Sequence, residues 1–172
     1  MDGTIVLPYG KPYEAAGTVT PLTTAYAAAQ AMGGLITIDI GAAVGSSMAN
    51  EWIRVFQIST ILRANAAPTS QTLAPVLFNA NPSASTFTDQ VTSSLASADY
   101  AKVVSWISGS ASGGSAVVGN AVAWLQQWTS QNALMVQCDA EGKIYMALMA
   151  GGALTPGAGA AISWRLQFGA DA

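Results

Sequence analysis

The sequence predicts an all-β chain, an antiparallel sandwich of about eight strands, the class to which the eight-strand jelly roll belongs. Three observations carry that prediction. Apolar and polar residues alternate with period two over short stretches, Gly, Pro, Asn and Ser punctuate those stretches at regular spacing, and helical periodicity is hard to find. The 172 residues suffice for one domain.

The elements follow in order. Residues 5–22 carry Pro8, Pro12 and Pro21 with little alternation and read as an extended arm, so residues 1–22 are assigned to an N-terminal arm and 23–172 to a single β domain. On that reading, deleting residues 1–20 leaves the β domain folded. The segment 23–32, TTAYAAAQAM, is the one stretch of helix-forming composition. In 35–40, LITIDI, Ile36, Ile38 and Ile40 share one face and Leu35, Thr37 and Asp39 the other, as in a strand. The run 52–62, WIRVFQISTIL, is β-branched and aromatic enough for a long strand, yet neither face is purely apolar, which leaves its facing open. Residues 73–78 form a further strand, and Pro75 points to an edge position or a strand start.

The polar stretch 79–94 reads as an ordered excursion between strands, followed by a helical turn at Ser97-Ala98-Asp99 capped by Ser97. Strands are expected at 102–108 and 120–127, separated by the flexible loop GSASGGS at 109–115. The pair 134–138 and 143–150 flank Asp139-Ala140-Glu141-Gly142, the turn of a four-residue hairpin. A last strand spans 162–168. The uncharged window 144–164 is long enough to cross a bilayer, but Gly151, Gly152, Pro156, Gly157 and Gly159 interrupt it, and two strands joined by a Gly/Pro loop explain it better. No membrane is therefore expected as a partner. The acidic start Met-Asp-Gly does not match a secretory leader, so synthesis in a cytoplasm is expected.

Composition removes several classes of chemistry. Six basic and nine acidic residues give a net charge of −3 and make up 9% of the chain, against about a quarter in ordinary soluble domains. The scattered cations offer no basic stripe for a phosphate backbone, so no nucleic acid is expected. The absence of His removes histidine-dependent catalysis and His-ligated zinc, and the single Cys138 allows neither an intrachain disulfide nor a thiolate zinc site. No catalytic residue, metal or cofactor is assigned. Two of the nine carboxylates facing a glycosidic bond would be a route to hydrolysis without His, but their dispersal favours structural roles. Asp139-x-Glu141-Gly142 lacks the remaining ligands of a calcium loop. Cys138, in an apolar strand, reads as a small core residue.

The charge deficit points toward assembly, because surfaces buried between permanent subunits are depleted in charge and enriched in apolar and aromatic groups. A homo-oligomer is expected. Four of the five tryptophans lie in strand-like runs, where core or subunit contacts are the default, and Trp128, near a loop, is the exposed candidate. The candidate assembly contacts are Tyr9, Pro12, Tyr13 and Trp128.

The segment 76–102 joins Leu77-Phe78, Asn81-Pro82, Thr86-Phe87-Thr88-Asp89 and Ala98-Asp99-Tyr100-Ala101-Lys102. This succession resembles small virion structural proteins of tailed bacteriophages, jelly-roll decoration or cement subunits among them. The upstream 25–34, AYAAAQAMGG, looks like the strand and turn that opens the same fold, with Ala29-Gln30 where that pattern often has Gly-Asp. The resemblance spans residues 23–107, about half the chain. It implies a jelly roll, a strand rather than a helix at 23–32, and a homotrimer on the outside of a major capsid protein lattice, located on the virion. An alternative is a carbohydrate- or receptor-binding jelly-roll module of a phage tail or fibre, and a third is a glycosidase.

Overall fold

A computed structural model of the chain describes residues 11–63, 73–106, 115–118, 121–127 and 133–170. Among them the strands are β1 (Lys11–Val19), β2 (Ala31–Asp39), β3 (Trp52–Arg63), β4 (Leu73–Phe78), β5 (Val103–Trp106), β6 (Ser115–Val118), β7 (Ala121–Gln127), β8 (Leu134–Gln137), β9 (Lys143–Ala150) and β10 (Ala161–Ala170). One short helix, α1 (Ile40–Val44), follows β2, and a 3-10 turn (Ser97–Lys102) precedes β5.

The pairing is nested and antiparallel throughout. β1 pairs with β10, β2 with β9, β3 with β7 and β8, and β4 with β5. The chain thus runs as a long double ribbon, and further pairings of β10 with β3 and β9 with β4 fold that ribbon over itself. Two sheets result, one of six strands in the order β1-β10-β3-β7-β6 with β8 also on β3, the other of four in the order β2-β9-β4-β5. β7 and β8 run in the same direction along successive stretches of one edge of β3, so they occupy one strand position. Counted that way, and with β6 set aside as an added edge strand, the remaining eight positions pair as in a jelly-roll sandwich.

The mixed facing of the long central strand has a local cause. Val55 lies opposite Phe168 and Gln57 opposite Gln167, so Phe56 is an extra residue, a β-bulge. The inward set switches there from Ile53 and Val55 to Ile58, Thr60 and Leu62, all at most 1% exposed. The bulge also marks the point where the neighbour of β3 changes from β8 to β7.

Between the sheets, Ile38, Ile53, Ile58, Leu62, Leu77, Ile144, Met146, Leu148, Ile162, Leu166 and Phe168 form the main core. A second apolar cluster lies on the far side of the smaller sheet, where Val76, Phe78, Tyr145, Ala147 and Met149 meet Phe87, with Leu95 packed against them. The excursion 79–96 therefore covers the outer face of this sheet. β9 is buried on both sides, which is why its sequence reads as one continuous apolar run. No described helix is long and apolar enough to cross a membrane.

Several expectations are corrected. Of the supposed arm, residues 11–22 are described, and 11–19 are not an arm but β1, paired along its whole length with β10. Tyr13 stacks on Phe168 with ring centroids 5.8 Å apart, and the indole of Trp164 lies over Gly17, within 2.7 Å of where a Cβ would sit. Residues 23–30 form neither helix nor strand. They are a looped segment with isolated bridges at Tyr26 and Gln30, because Tyr26 turns into the core at 2% exposure instead of joining an amphipathic stripe. The turn at 139–142 does not join a hairpin. β8 belongs to the larger sheet and β9 to the smaller, so the turn arches between layers. β6, expected only as loop at Ser115, adds a hairpin to β7. Pro75 lies in an interior strand, at a residue preceding the Val76 that begins the β5 pairing.

Two measurements test this architecture. Deleting residues through Thr20 removes β1 and uncovers Phe168 and Trp164, so it destabilises the fold by roughly 3 kcal/mol or more, the scale of losing one large core side chain; urea unfolding of the shortened chain reads this out. The Oγ1 of Thr60 is buried without a hydrogen-bond partner, and Thr60→Val should raise stability by about 1 kcal/mol in the same assay.

Candidate assembly surface

The outer face of the larger sheet is built by strict alternation. Residues whose neighbours point into the core point out: Glu14, Ala16 and Thr18 on β1, Ser163, Arg165 and Gln167 on β10, Trp52, Arg54, Ser59, Ile61 and Arg63 on β3, Met135 and Gln137 on β8. The bulge adds Phe56 beside Gln57, half-buried on this side. No described segment lies across this face as the excursion lies across the smaller sheet. Trp52 is 52% exposed, Met135 42% and Ile61 40%.

Polar contacts stitch neighbouring strands here. Arg165 pairs with Glu14 at 3.3 Å, and Gln127 donates to Gln57 at 2.9 Å. A shallow depression of about 450 Å³ is lined by Ala16, Thr18, Ser59, Ile61, Ser163 and Arg165. A second, of about 300 Å³, lies between Pro12, Glu14, Phe56 and Gln167. All three arginines of the chain, Arg54, Arg63 and Arg165, are on this face.

The proposed contact residues divide. Pro12 is exposed on the outer face, whereas Tyr13 turns inward onto Phe168. Tyr9 and Trp128 lie outside the described residues. Sequence reasoning missed Trp52, assigned by default to core or subunit packing. Its signal was its place beside Glu51 at the strand start, where alternation with buried Ile53 sends it outward.

The carboxylates that looked like candidate chemistry are engaged in the framework. Asp89 accepts hydrogen bonds from the Tyr26 hydroxyl, from Leu22 N at 3.2 Å and from Gly33 N at 2.9 Å. Burial and the Asp89 partner push the Tyr26 phenol well above its ordinary value. Gly33 sits in a bulge of β2 at φ +78, with Val19 2.7 Å from where a Cβ would be, so only glycine fits. Asp99 is fully buried, pairs with Lys102 at 2.7 Å and accepts from Ser85 Oγ at 2.6 Å and Ala84 N at 3.0 Å. The Lys102 ammonium and the Ser85 hydroxyl hold its carboxyl below the usual range. The expected helical turn is present, but Ser97 does not cap it; the side chain that ties it down is Asp99.

Asp139 accepts from the backbone of Glu141 and Lys143 and from the Tyr145 hydroxyl at 2.8 Å. Burial opposes its charge, but these donors outweigh it and its pKa falls. Asp39 caps α1 through Ala42 N at 2.8 Å. Burial, then the nearby Asp139 and Glu51 charges, push the Cys138 thiol up to about 12, which keeps it protonated. Among the described residues no group of three or more His, Cys, Asp or Glu is arranged to hold a metal ion.

Compared with known proteins, the chain matches no family model and no curated protein.

The Asp99 network makes a pH prediction. Because the folded carboxyl is depressed, its stabilising contribution is complete above the unfolded value of about 3.9 and is lost as pH falls below it toward the folded value. Asp99→Asn should therefore lower the urea midpoint at pH 7, and the gap to wild type should narrow as the pH is taken below about 4.

Proposed function

We propose that this protein is a non-enzymatic virion structural component, a capsid decoration or cement subunit that acts as a homotrimer and binds the outside of a major capsid protein lattice. The observation that carries the proposal is the contrast between the two sheets. The chain covers the outer face of the smaller sheet with its own excursion and leaves Trp52, Met135 and Ile61 exposed on the larger one. A sparsely charged jelly roll with one uncovered sheet face that exposes three large apolar side chains suits a subunit that spends its working life against other subunits. Such a protein performs no chemistry: binding only the assembled shell, it stabilises that shell by mass action.

The segment that resembles phage decoration proteins supports the reading in its details. Thr86 bridges to Ser94, Phe87 packs on Phe78 with centroids 5.2 Å apart, and Asp99 pairs with Lys102, so the quoted residues act together as one structural unit. Ala29, standing where the pattern often has Gly, adopts φ +64, a conformation that glycine takes readily.

A second reading, a saccharide-binding module of a tail or fibre, draws on the depression with its Thr18, Ser59 and Ser163 hydroxyls. It lacks an exposed ring among its described lining residues, since Trp164 faces the core at 9% exposure.

Mass spectrometry of virions from the encoding phage, separated into heads and tails, tests the proposal. The protein should be found with heads, and purified protein added to heads lacking it should rebind and raise their thermal disruption temperature. Recovery only with tails, together with binding on a glycan array, would replace the first reading by the second.

A further inference from the structure

We propose that the outer face of the larger sheet seats a second copy of this chain, and that what it receives is the acidic rim at the β8–β9 end of that copy. The proposal rests on the structural-protein reading and names the surface through which subunits join.

The argument begins with how the few charges are distributed. Among the described residues the face carries Arg54, Arg63 and Arg165 together with Glu14, which pairs with Arg165, so cations outnumber carboxylates there on a chain whose net charge is −3. The opposite sign collects at one end of the sandwich. There Asp39 lies opposite Lys143 in the β2–β9 register, Cys138 N bonds Glu51 O at 2.9 Å, Asn50 N bonds Asp139 O at 2.9 Å, and Ile40 N bonds Gly142 O at 3.1 Å. These bonds gather Asp39, Glu51, Asp139 and Glu141 around one arch with Lys143 as the lone cation. Asp39, Glu51 and Glu141 are exposed.

Two complementary surfaces on one chain make the chain its own partner, because unlike fields steer the encounter and suppress like-with-like contacts. The exposed Trp52 and Met135 supply the apolar part of the contact. Face-to-rim joining is heterologous, and heterologous contacts close into rings such as trimers when the rotation allows.

Sedimentation velocity on the full chain tests this. Reversing the face with Arg54→Glu and Arg63→Glu, or the rim with Glu51→Lys and Glu141→Lys, should weaken self-association by about tenfold or more. The chain carrying all four substitutions should regain association to within about threefold, since both surfaces change sign together. Circular dichroism confirms that each variant is folded, and wild type should dissociate progressively between about 50 mM and about 500 mM salt.

A wild-type oligomer unaffected by salt and by face reversal overturns the inference while leaving the decoration reading intact. Failure of the four-substitution chain to reassociate shows that the face meets something other than the rim, and also overturns it. If the face reversal spares the oligomer but abolishes binding to phage heads, the occupant is the capsid lattice instead. A salt-sensitive oligomer that ignores phage heads supports the inference and sinks the decoration reading.

Discussion

The burial of β9 on both faces is the constraint around which the molecule is arranged. A strand that apolar from Ile144 to Ala150 cannot leave either side to water, so one side packs into the sandwich and the other must be covered by something else. The excursion between β4 and β5 supplies that cover through Phe87 and Leu95. β9 also pairs with both β2 and β4, so it is the central member of the smaller sheet in hydrogen bonding as well as in packing. The asymmetry between a covered sheet and a bare one follows from it.

The excursion stays in place because the few carboxylates of the chain are positioned to hold it. Asp89 joins it to the looped segment and to the β2 bulge through Leu22, Tyr26 and Gly33. Asp99 joins its start to the turn before β5 through Ala84, Ser85 and Lys102. Each carboxylate accepts several donors, including backbone amides that would otherwise be unsatisfied, so one ionised group does the work of several neutral ones. Asp89 and Asp99 are thus placed at junctions where irregular chain must be fixed, while the outer face of the larger sheet carries the three arginines and Glu14 among small, hydroxylic and apolar side chains.

Much of the fold was legible in the sequence where the physics is local. Alternation at Ile36 and Ile38, the break at 151–160 and the polar excursion all appear as read, although the strand ends at Asp39 and Ile40 opens α1. The misreadings share one cause, which is that pairing partners lie far away in sequence. β1 looks unstructured alone because its prolines and small residues acquire meaning only opposite β10, where Trp164 fills the space over Gly17. The turn at 139–142 has hairpin chemistry, but which sheet each flanking strand joins is settled by β3 and by β2 with β4. The conflicting alternation of β3 was itself the trace of the bulge at Phe56, since a change of parity within one strand requires an extra residue. The outer face could not be drawn in advance, because its facing depended on that same bulge.

Pairing of β1 with β10 over their full length places Lys11 directly opposite Ala170. The two chain ends of the described fold therefore emerge at a single corner, along the margin of the larger sheet, although they are separated by nearly the whole sequence. A tether joining Lys11 to Ala170 would need to bridge only the gap between two paired strands, and it would close the described fold into a ring without disturbing any strand.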